Sequence, residues 1–308
     1  MERARSDEVV VVVVTYNSAG LVPDLVASLP SGMGGVPWRL VVVDNASVDH
    51  TIAEVRRTAP DAVVVPMGRN AGYAAGINAG AAHAGPGRAL LVLNPDVRLT
   101  PGCVPQLLAA LERPGVGVAV PRLLDGEGML VPSMRREPTV LRAVADAVLG
   151  ASRAGTVLTL GEVVTDVDEY ERGQPTDWAE GSTQLISPDC WRRCGPWDES
   201  FFLYSEETDF HLRVRDRGLE TRYVPAAVAV HLGGESTTSP RLWSMLVANR
   251  VKLFAARNGP VSSAAYWLAL MVREASRAAL GRETSRRAVR TLLSPAALRG
   301  RRGPEWGV

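Results

Sequence analysis

The chain has 308 residues but only one lysine, three cysteines and no long apolar run. The longest purely aliphatic run, Val9–Val14, is far shorter than the roughly 20 residues of a membrane-spanning helix, so it cannot cross a bilayer. The first eight residues are polar and lead into a strand-like run without a cleavage site. We therefore expect no signal peptide.

The odd number of cysteines excludes a fully paired disulfide framework. Cys190 and Cys194 are four residues apart, but no further metal-ligand pattern accompanies them. The sequence predicts that both, together with Cys103, are reduced packing residues of a cytoplasmic protein.

Lysine is nearly absent because arginine supplies every basic residue except Lys252, as in proteins from GC-rich genomes. A single arginine therefore means little, but the distribution of charge is informative. Residues 241–308 carry 13 Lys and Arg against 3 Asp and Glu, whereas the remainder carries 21 against 30. A basic tail on an acidic body predicts contact with a polyanion, and an anionic membrane is favoured because no nucleic-acid-binding module is recognisable.

A hydrophobic content of 46% is typical of a globular chain with one large domain or two modest ones. Four apolar runs predict strands, at Val9–Thr15, Leu40–Asp44, Val63–Val65 and Ala89–Leu93. Segments compatible with helices alternate with them, at Ala19–Leu29, Ser47–Thr58 and Ala71–Ala84, with Ser47 as a helix cap. Alternation of this kind predicts an α/β fold with a mostly parallel central sheet flanked by helices.

Polar residues gather where three of these strands end. The clusters are Thr15-Tyr16-Asn17, Asp44-Asn45-Ala46-Ser47 and Asn94-Pro95-Asp96. Each alone could be only a turn, because Asn, Asp and Ser are common in turns. Three of them at one sheet edge favour a ligand site, since α/β sheets bind ligands at the carboxyl ends of their strands.

The middle of the chain is predicted to contain a helix at Pro105–Leu111, a strand at Val116–Val120 and a variable excursion over residues 126–177. A helix at Asp209–Arg217, closed by Gly218, precedes a strand at Thr221–Val230. Glu206, Glu207 and Asp209 stand at the start of that helix. Carboxylates favour a helix N-terminus, but acids this close also persist where one of them takes a proton.

Three helices are predicted in the basic tail, at Leu242–Ala256, Ser262–Leu280 and Arg286–Leu293. The second presents apolar residues on one face, with Arg273 and Glu274 interrupting the stretch. It could lie in a membrane interface or pack against the body, and the sequence leaves both open.

In combination, these motifs resemble the inverting glycosyltransferases of family 2, which have the GT-A fold. The resemblance covers roughly residues 9–236 and is most like the bacterial rhamnosyltransferase branch. It implies a catalytic domain over residues 1–240, with a nucleotide-binding half (about 9–100) and an acceptor half (about 101–240), followed by a basic amphipathic helical extension (241–308). The motifs are Val14-Thr-Tyr-Asn17, Val43-Asp-Asn-Ala-Ser47, Gly68-Arg-Asn-Ala-Gly-Tyr73, Asn78-Ala-Gly80, Leu93-Asn-Pro-Asp-Val97, Trp178-x-x-Gly181-Ser, Tyr204-Ser-Glu-Glu-Thr-Asp209 and His231-Leu-Gly-Gly-x-Ser236.

The resemblance implies a nucleotide-diphospho-sugar donor at the strand ends. Asp44 would accept hydrogen bonds from the base or ribose, and Gly72 would allow close approach of the backbone. The implied donor-binding residues are Thr15, Tyr16, Asn17, Asp44, Asn45, Arg69, Asn70, Gly72, Asn94 and Asp96.

Asp96 stands where the metal-binding Asp-x-Asp motif of the family ends, and His231 matches a position that binds metal or phosphate in some relatives. The resemblance implies Mg²⁺ or Mn²⁺ at Asp96, shared with the donor diphosphate. The first acid of the motif is Asn94 here, so metal binding is expected to be weak or substrate-dependent. For His231 a purely structural role is the alternative.

The implied reaction is a direct displacement in which the acceptor hydroxyl gives its proton to a carboxylate. The resemblance places this base at Glu207, where most relatives have aspartate, with Glu206 as the rival. Asp209 is expected to brace the helix or to pair with Arg213. The implied acceptor side consists of Trp178, Gly181, Ser182 and Asp209, and Trp178 could equally be a core residue.

The implied function is transfer of a sugar, with L-rhamnose from dTDP-rhamnose favoured, to a hydroxyl of a glycan or a polyprenyl-diphosphate-linked acceptor. One alternative is another donor, carrying galactofuranose or an N-acetylhexosamine. A second is a non-catalytic scaffold of the same fold that binds a nucleotide or glycan. We expect a cytoplasmic protein that can contact the inner face of the membrane through residues 241–308, with no nucleic-acid partner, and a homodimer is left open.

Overall fold

The computed structural model describes residues 8–150, 160–233, 239–300 and 303–306. Its strands are β1 (Val9–Thr15), β2 (Trp38–Asp44), β3 (Val63–Pro66), β4 (Ala89–Leu93), β5 (Val97–Leu99), β6 (Val116–Leu124), β7 (Leu130–Val131), β8 (Met134–Arg135), β9 (Gln174–Thr176), β10 (Trp178–Ala179), β11 (Thr183–Ile186) and β12 (Glu220–His231). Its α-helices are α1 (Val22–Met33), α2 (Thr51–Thr58), α3 (Tyr73–Ala81), α4 (Cys103–Leu111), α5 (Val140–Leu149), α6 (Pro188–Cys194), α7 (Glu206–Asp216), α8 (Pro240–Arg257), α9 (Pro260–Ala279), α10 (Glu283–Leu292) and α11 (Pro295–Arg299).

One ten-stranded sheet organises the molecule, with the strand order β3-β2-β1-β4-β11-β6-β12-β5 and with β7 and β9 beside β6 and β12. Strands β3, β2, β1 and β4 pair in parallel, as do β6 and β12. The antiparallel strand β11 lies between the two groups, at the centre of the sheet. The predicted α/β class with a mostly parallel sheet is therefore confirmed.

Strand β1 is covered by side chains on both faces. Val9, Val11 and Val13 pack with α1 and α4, whereas alternate residues such as Val10 and Val12 pack with α3 and α7. The close approach of α3 depends on its glycines, because a Cβ atom on Gly80 would lie 2.4 Å from Val12 Cγ1. The uninterrupted valine run thus reflects a strand with apolar layers on each side.

Several sequence-based details were wrong. Ser47 does not cap a helix: it lies in a loop, and α2 starts four residues later, at Thr51. Strands β5 and β11 were missed because both are short. Strand β11 pairs antiparallel between the two parallel groups, and β5 pairs antiparallel with β12 at the edge of the sheet. The excursion at 126–177 contains α5, a 3₁₀ helix at Val167–Glu171 and the three short strands β7, β8 and β9, and residues 151–159 lie outside the described part.

The excursion is tied to the body by Tyr170, whose side chain is buried. Its hydroxyl accepts a hydrogen bond from Met134 N (3.0 Å) and donates one to Val164 O (2.9 Å). Its ring lies edge-on against Tyr223 of β12. This irregular region is therefore packed onto the central sheet. All three cysteines are free and buried, as predicted.

The C-terminal helices pack against each other, α5 and the body. Tyr266 stacks on Phe254 with ring centroids 4.0 Å apart, and Arg273 of α9 forms a buried ion pair with Asp146 of α5 (2.8 Å). One face of α9 is therefore packed against the protein. The sequence had left open whether this helix packs against the body or lies in a membrane interface. Within the described ranges, no helix combines the length and the apolar character needed to cross a membrane. The domain boundary near residue 240 stays a prediction.

Candidate active site

Asp44 organises the loops at the ends of β1 and β2. Its buried carboxylate accepts hydrogen bonds from Thr15 Oγ1 (3.0 Å), Ser47 Oγ (2.6 Å) and Ser47 N (2.9 Å). Asn17 N in turn donates to Ser47 Oγ (2.8 Å), and Asn17 Oδ1 accepts from Val48 N (2.9 Å). These bonds hold two of the three predicted polar clusters together in one rigid edge.

Tyr16 projects from this edge with 52% of its surface exposed. An exposed aromatic ring beside fixed polar groups is suited to stacking on a nucleobase, because every base presents a π-face. Arg69 is also exposed, on the neighbouring loop before α3.

Gly72 brings that neighbouring loop against the segment that precedes the acid cluster. Its φ is 96°, and a Cβ atom there would lie 2.4 Å from Phe202 O. Asn45 Nδ2 donates to Gly72 O (3.1 Å), Gly72 N donates to Asn70 Oδ1 (3.2 Å), and Tyr73 N donates to Phe202 O (2.9 Å). Only glycine fits here, because the conformation and the contact both exclude a side chain.

His231, at the end of β12, lies between two carboxylates. Its Nε2 is 3.2 Å from Asp96 Oδ2, and its Nδ1 is 3.1 Å from Glu180 Oε1. Burial alone would lower the pKa of His231, but the hydrogen bonds to Asp96 and Glu180 raise it to about 10. The histidine is therefore a cation that bridges the third strand-end cluster to the Trp178-x-x-Gly181 segment.

The implied metal ligands, Asp96 and His231, are in contact with each other. Asp96 would hold a hard cation through a carboxylate oxygen, and His231 would bind one only through a deprotonated ring nitrogen. No group of three or more His, Cys, Asp or Glu side chains in the described ranges could hold a metal by itself. A cation would need oxygens from its substrate as well, and a diphosphate supplies them.

Glu206 and Glu207 begin α7 and lie against the acceptor-side segment. Glu206 is only 3% exposed, and a Cβ atom on Gly181 would lie 3.1 Å from Glu207 Cβ. In the described part of the chain, the buried Oε2 atoms of both glutamates have no hydrogen-bond partner. Such orphaned oxygens are costly in a fold and are typical of a site that meets a ligand.

The two acids differ in their titration. Burial, reinforced by the neighbouring Glu207, raises the pKa of Glu206 far above its ordinary value. Burial also raises the pKa of Glu207, to about 7, although backbone amides at the helix start act in the opposite direction. Burial therefore favours the protonated form of both acids, and a pKa of about 7 lets Glu207 exchange a proton near neutral pH.

Residues 10–155 match the model of Glycosyl transferase family 2. An N-acetylglucosaminyl-diphospho-decaprenol L-rhamnosyltransferase of Mycobacterium tuberculosis is 31% identical over 243 residues, which cover 75% of this chain and 78% of the relative. The chain belongs to glycosyltransferase family 2.

A second relative agrees with this assignment, and two solved structures share the fold. The Low-salt glycan biosynthesis hexosyltransferase Agl10 of Haloferax volcanii is 27% identical over 237 residues, or 75% of this chain and 69% of the relative. A mannosyltransferase of Pyrobaculum calidifontis, solved with GDP-Man and Mn²⁺, superposes with a TM-score of 0.57 at 19% identity, covering 89% of this chain and 74% of that one. Glucosyl-3-phosphoglycerate synthase of Mycobacterium tuberculosis, solved with Mn²⁺ and UDP, gives 0.52 at 17% identity, with 80% and 79% covered. The GT-A fold and the assignment as a glycosyltransferase are confirmed.

The four residues predicted for the acceptor side occupy different environments. Gly181 touches Glu207, as described above. Ser182 is buried, and its carbonyl accepts from Asn94 N (2.8 Å), so it joins the segment to the third strand-end cluster. Trp178 is half-buried, with Nε1 donating to Arg136 O (3.1 Å). Asp209 is paired with Arg213 (2.7 Å), which matches its predicted role as a brace of the helix.

Two buried side chains that the sequence did not single out hold this geometry. Tyr73 donates from its hydroxyl to Gly181 O (3.3 Å), and its pKa is raised by burial and then by Glu206 and Asp96. His211 accepts from Ala179 N (3.0 Å) and donates from Nε2 to Gln184 Oε1 (2.8 Å), with its pKa lowered to about 3 by burial. Both rings therefore stay neutral and act as fixed hydrogen-bonding struts. Tyr73 is part of the Gly68–Tyr73 motif, whose final aromatic residue could have indicated a role.

The backbone before the acid pair is in an unfavourable conformation. Tyr204 and Ser205 have φ values of 70° and 72°, a region that costs residues with side chains about 1–3 kcal/mol each. Asn249, buried in α8, donates from Nδ2 to Leu203 O (2.9 Å) and Tyr204 O (3.0 Å). The C-terminal extension therefore secures the loop that carries Glu206 and Glu207. Nothing in the sequence indicated this contact, since it joins residues more than 40 positions apart.

We expect Asn249→Leu to lower kcat at least about tenfold, because the loop would lose both hydrogen bonds and a small displacement of a reacting group is costly. The KM for the donor should change little. Asn258→Leu is the matched control, since Asn258 Nδ2 bonds only to Phe254 O at the end of the same helix. Equal kcat values for the two variants would contradict a positioning role for Asn249.

Proposed function

We propose that this enzyme transfers L-rhamnose, with inversion, from dTDP-rhamnose to a hydroxyl of an N-acetylglucosamine carried by a polyprenyl diphosphate. The relative from Mycobacterium tuberculosis, named for that acceptor and sugar, supports the proposal. The observation that carries it is Glu207, an acid with a pKa of about 7 that lies beside Gly181 and next to the loop of Gly72. A general base works best when its pKa lies near the working pH.

In the proposed reaction, the acceptor oxygen attacks the anomeric carbon from the side opposite the nucleoside diphosphate. A bond forms between that oxygen and the anomeric carbon, the bond from the carbon to the diphosphate oxygen breaks, and Glu207 takes the hydroxyl proton. Asp44 and Tyr16 orient the nucleoside, and Arg69 offers an exposed guanidinium to the diphosphate. Mg²⁺ or Mn²⁺ held at Asp96 would neutralise the charge that develops on the leaving diphosphate.

Glu206 is the weaker candidate for the base. Its carboxyl is more deeply buried than that of Glu207, and burial together with the neighbouring Glu207 raises its pKa well above the ordinary value. A neutral Glu206 adds no second negative charge beside Glu207. We therefore assign the proton transfer to Glu207 and a supporting role to Glu206.

The rate of transfer should rise with pH through about 7. Glu207 accepts a proton only when it is ionised, and below its pKa the ionised fraction falls about tenfold per pH unit. The measurement is kcat/KM for the acceptor from well below to well above pH 7, with donor affinity measured in parallel as the control. A flat profile, or one in which donor affinity falls in the same way, would contradict the assignment.

A donor panel tests the proposed function. The protein is incubated with dTDP-rhamnose, UDP-galactofuranose or UDP-N-acetylglucosamine, each with and without Mn²⁺, and melting temperature and transfer to polyprenyl-diphospho-N-acetylglucosamine are measured. We expect dTDP-rhamnose to give the largest stabilisation and the only product. Product from another donor would replace the proposed sugar, and stabilisation without any product would favour the non-catalytic scaffold.

We also propose that the helical extension contacts the membrane together with α5. The outward face of α5 is apolar, with Val148 75% exposed and Leu141 and Val144 beside it, while Asp146 points inward to Arg273. The outward face of α9 likewise exposes Leu268 and Val272. Apolar side chains outside and a buried ion pair inside fit an interfacial helix pair on anionic lipid. Of the two helices, α9 belongs to the basic part of the chain.

Replacing Leu268 and Val272 with serine should reduce pelleting with phosphatidylglycerol vesicles severalfold, because each residue loses apolar burial in the interface. Both are exposed, so the melting temperature should stay the same. Met129→Ser, at an exposed methionine outside this surface, is the control. Unchanged pelleting of the double variant would remove the membrane contact from the proposal.

A further inference from the structure

A cavity of about 470 Å³ lies between the start of α8 and the start of α10, away from the acid pair. Its charged lining is dominated by arginine. The arginines are Arg241, Arg286, Arg287 and Arg290, with Glu283 as the acid of the lining. Four guanidinium groups around one carboxylate leave the cavity with an excess of positive charge.

The arginines of α10 in this lining lack a carboxylate partner among the described residues. Arg286, Arg287 and Arg290 form no ion pair with any carboxylate in the described ranges, and neither does Glu283, although all four share α10. Like charges on adjacent turns of a helix repel each other, so their grouping costs stability unless an anion joins them. The opposite face of α10 is packed on α8 and α9 through Ala288 and Leu292, which fixes where the arginines point.

One wall of the cavity is held rigidly to the catalytic body. Arg241 donates to Trp306 O (3.1 Å) and Gly303 O (3.4 Å), and Trp306 packs against Phe202 and Met245. Phe202 is the residue whose carbonyl meets Gly72 and Tyr73. Two side-chain contacts therefore connect the cavity to the loop of Gly72 and to the segment before Glu206.

Exposed leucines flank the arginines. Leu280, 82% exposed, directly precedes Gly281 of the cavity, and Leu293, 63% exposed, follows α10. Leu293 lies three residues after Arg290 and seven after Arg286, so all three share one face of the helix. Guanidinium groups bind phosphate oxygens bidentately, and a leucine beside them suits the first carbons of a lipid chain.

We propose that this cavity binds a phosphate group carried by a lipid. Two sources share that chemistry: the diphosphate of a polyprenyl-linked acceptor, which rests on the proposed function, and the headgroup of an anionic phospholipid. In both cases the arginines hold the phosphate while Leu280 and Leu293 contact the lipid chain. The enzyme is then oriented with the starts of α8 and α10 toward the membrane.

The test compares Arg286→Gln/Arg290→Gln with the control Arg56→Gln/Arg299→Gln, which removes the same charge at exposed positions outside the cavity. One arm measures the KM for polyprenyl-diphospho-N-acetylglucosamine in neutral detergent. A second measures pelleting with phosphatidylcholine vesicles, with and without phosphatidylglycerol. A third measures the hydrolysis of dTDP-rhamnose without acceptor, which depends on the donor site alone.

We expect the cavity variant to show an acceptor KM raised about thirtyfold, vesicle binding weakened about thirtyfold, or both. Each arginine near a lipid surface contributes roughly a factor of five to binding. A loss confined to the first arm identifies the acceptor diphosphate, and one confined to the second identifies the phospholipid headgroup. Donor hydrolysis should be unchanged in both variants. If wild type gives no transfer, the proposed function fails, and the vesicle arm still decides the phosphate site.

Three outcomes would overturn the inference. The first is an equal weakening of acceptor or vesicle binding in the cavity variant and the control, which would indicate only a general effect of net charge. The second is vesicle binding and acceptor KM that match wild type. The third is complete displacement of the wild-type protein from vesicles by inorganic pyrophosphate, at concentrations whose ionic strength alone does not displace it. That result would identify a site for soluble phosphate.

Discussion

Glu207→Gln is expected to reduce sugar transfer about a thousandfold and to leave donor binding nearly unchanged, since general base catalysis contributes roughly 10²- to 10⁴-fold. Glutamine keeps the size of the side chain and the contact with Gly181 but cannot take the acceptor proton. The measurements are kcat with the lipid-linked acceptor and the affinity for dTDP-rhamnose by calorimetry.

The folding of this variant can be predicted from the same pKa. The pKa of Glu207 rises from an ordinary 4.5 to about 7 in the folded protein, so the folded state holds the proton more tightly than the unfolded chain. The stability that depends on Glu207 is therefore highest in acid and declines as the pH rises from 4.5 to about 7. Above that range the neutral glutamine variant should melt at the same temperature as wild type or higher.

Two further variants separate the roles of the acids. Glu206→Gln should retain most of the activity, because burial and the neighbouring Glu207 favour the protonated form of Glu206, which glutamine resembles. Glu207→Asp should retain part of it, since the carboxylate is kept but withdrawn by one methylene. If Glu207→Gln turns over at the wild-type rate, or if Glu206→Gln is the inactive variant, Glu207 is not the base.

Asp96→Ala is expected to lower transfer about a hundredfold and to remove its stimulation by Mg²⁺ or Mn²⁺, because the cation would lose its carboxylate from the protein. His231 would keep its partner Glu180 (3.1 Å), so the strand end should stay in place. The measurement is the transfer rate as a function of metal concentration, together with the affinity for dTDP.

Asp209→Ala provides a matched control for this prediction. Asp209 is also a carboxylate in an ion pair, with Arg213 of α7, but it does not contact His231 or Asp96. The Asp209→Ala variant should be slightly less stable, and its transfer rate should depend on metal concentration as in wild type. Asn94→Asp, which restores the first acid of the motif, should tighten the metal response. Identical metal curves for Asp96→Ala and wild type would show that Asp96 binds no cation.

The parallel strands of the nucleotide-binding half could be predicted from sequence because their physical cause is local. Val9–Val14 is apolar at every position, and such a run is stable only when both faces are covered. The positions of β5 and β11 could not be predicted in this way. Both are short, and their place in the sheet depends on partners from the other half of the chain.

The loops at the strand ends could be expected to meet, since parallel strands end at one edge of a sheet. The hydrogen bonds among Thr15, Asp44 and Ser47 agree with that expectation. The partners of His231 and the unfavourable conformation of Ser205 were not predictable, because each depends on contacts across the fold.

The parallel strands of the predicted nucleotide-binding half, the polar motifs, the family and the candidate base follow from the sequence by itself, since they depend on residue types at short spacings. The tertiary structure decided how these residues act. Burial raises the pKa values of Glu206 and Glu207, and hydrogen bonds to Asp96 and Glu180 raise the pKa of His231. Asn249 of the basic tail secures the loop before the acids. These are effects of desolvation and of contacts between distant segments, which exist only once the chain has folded.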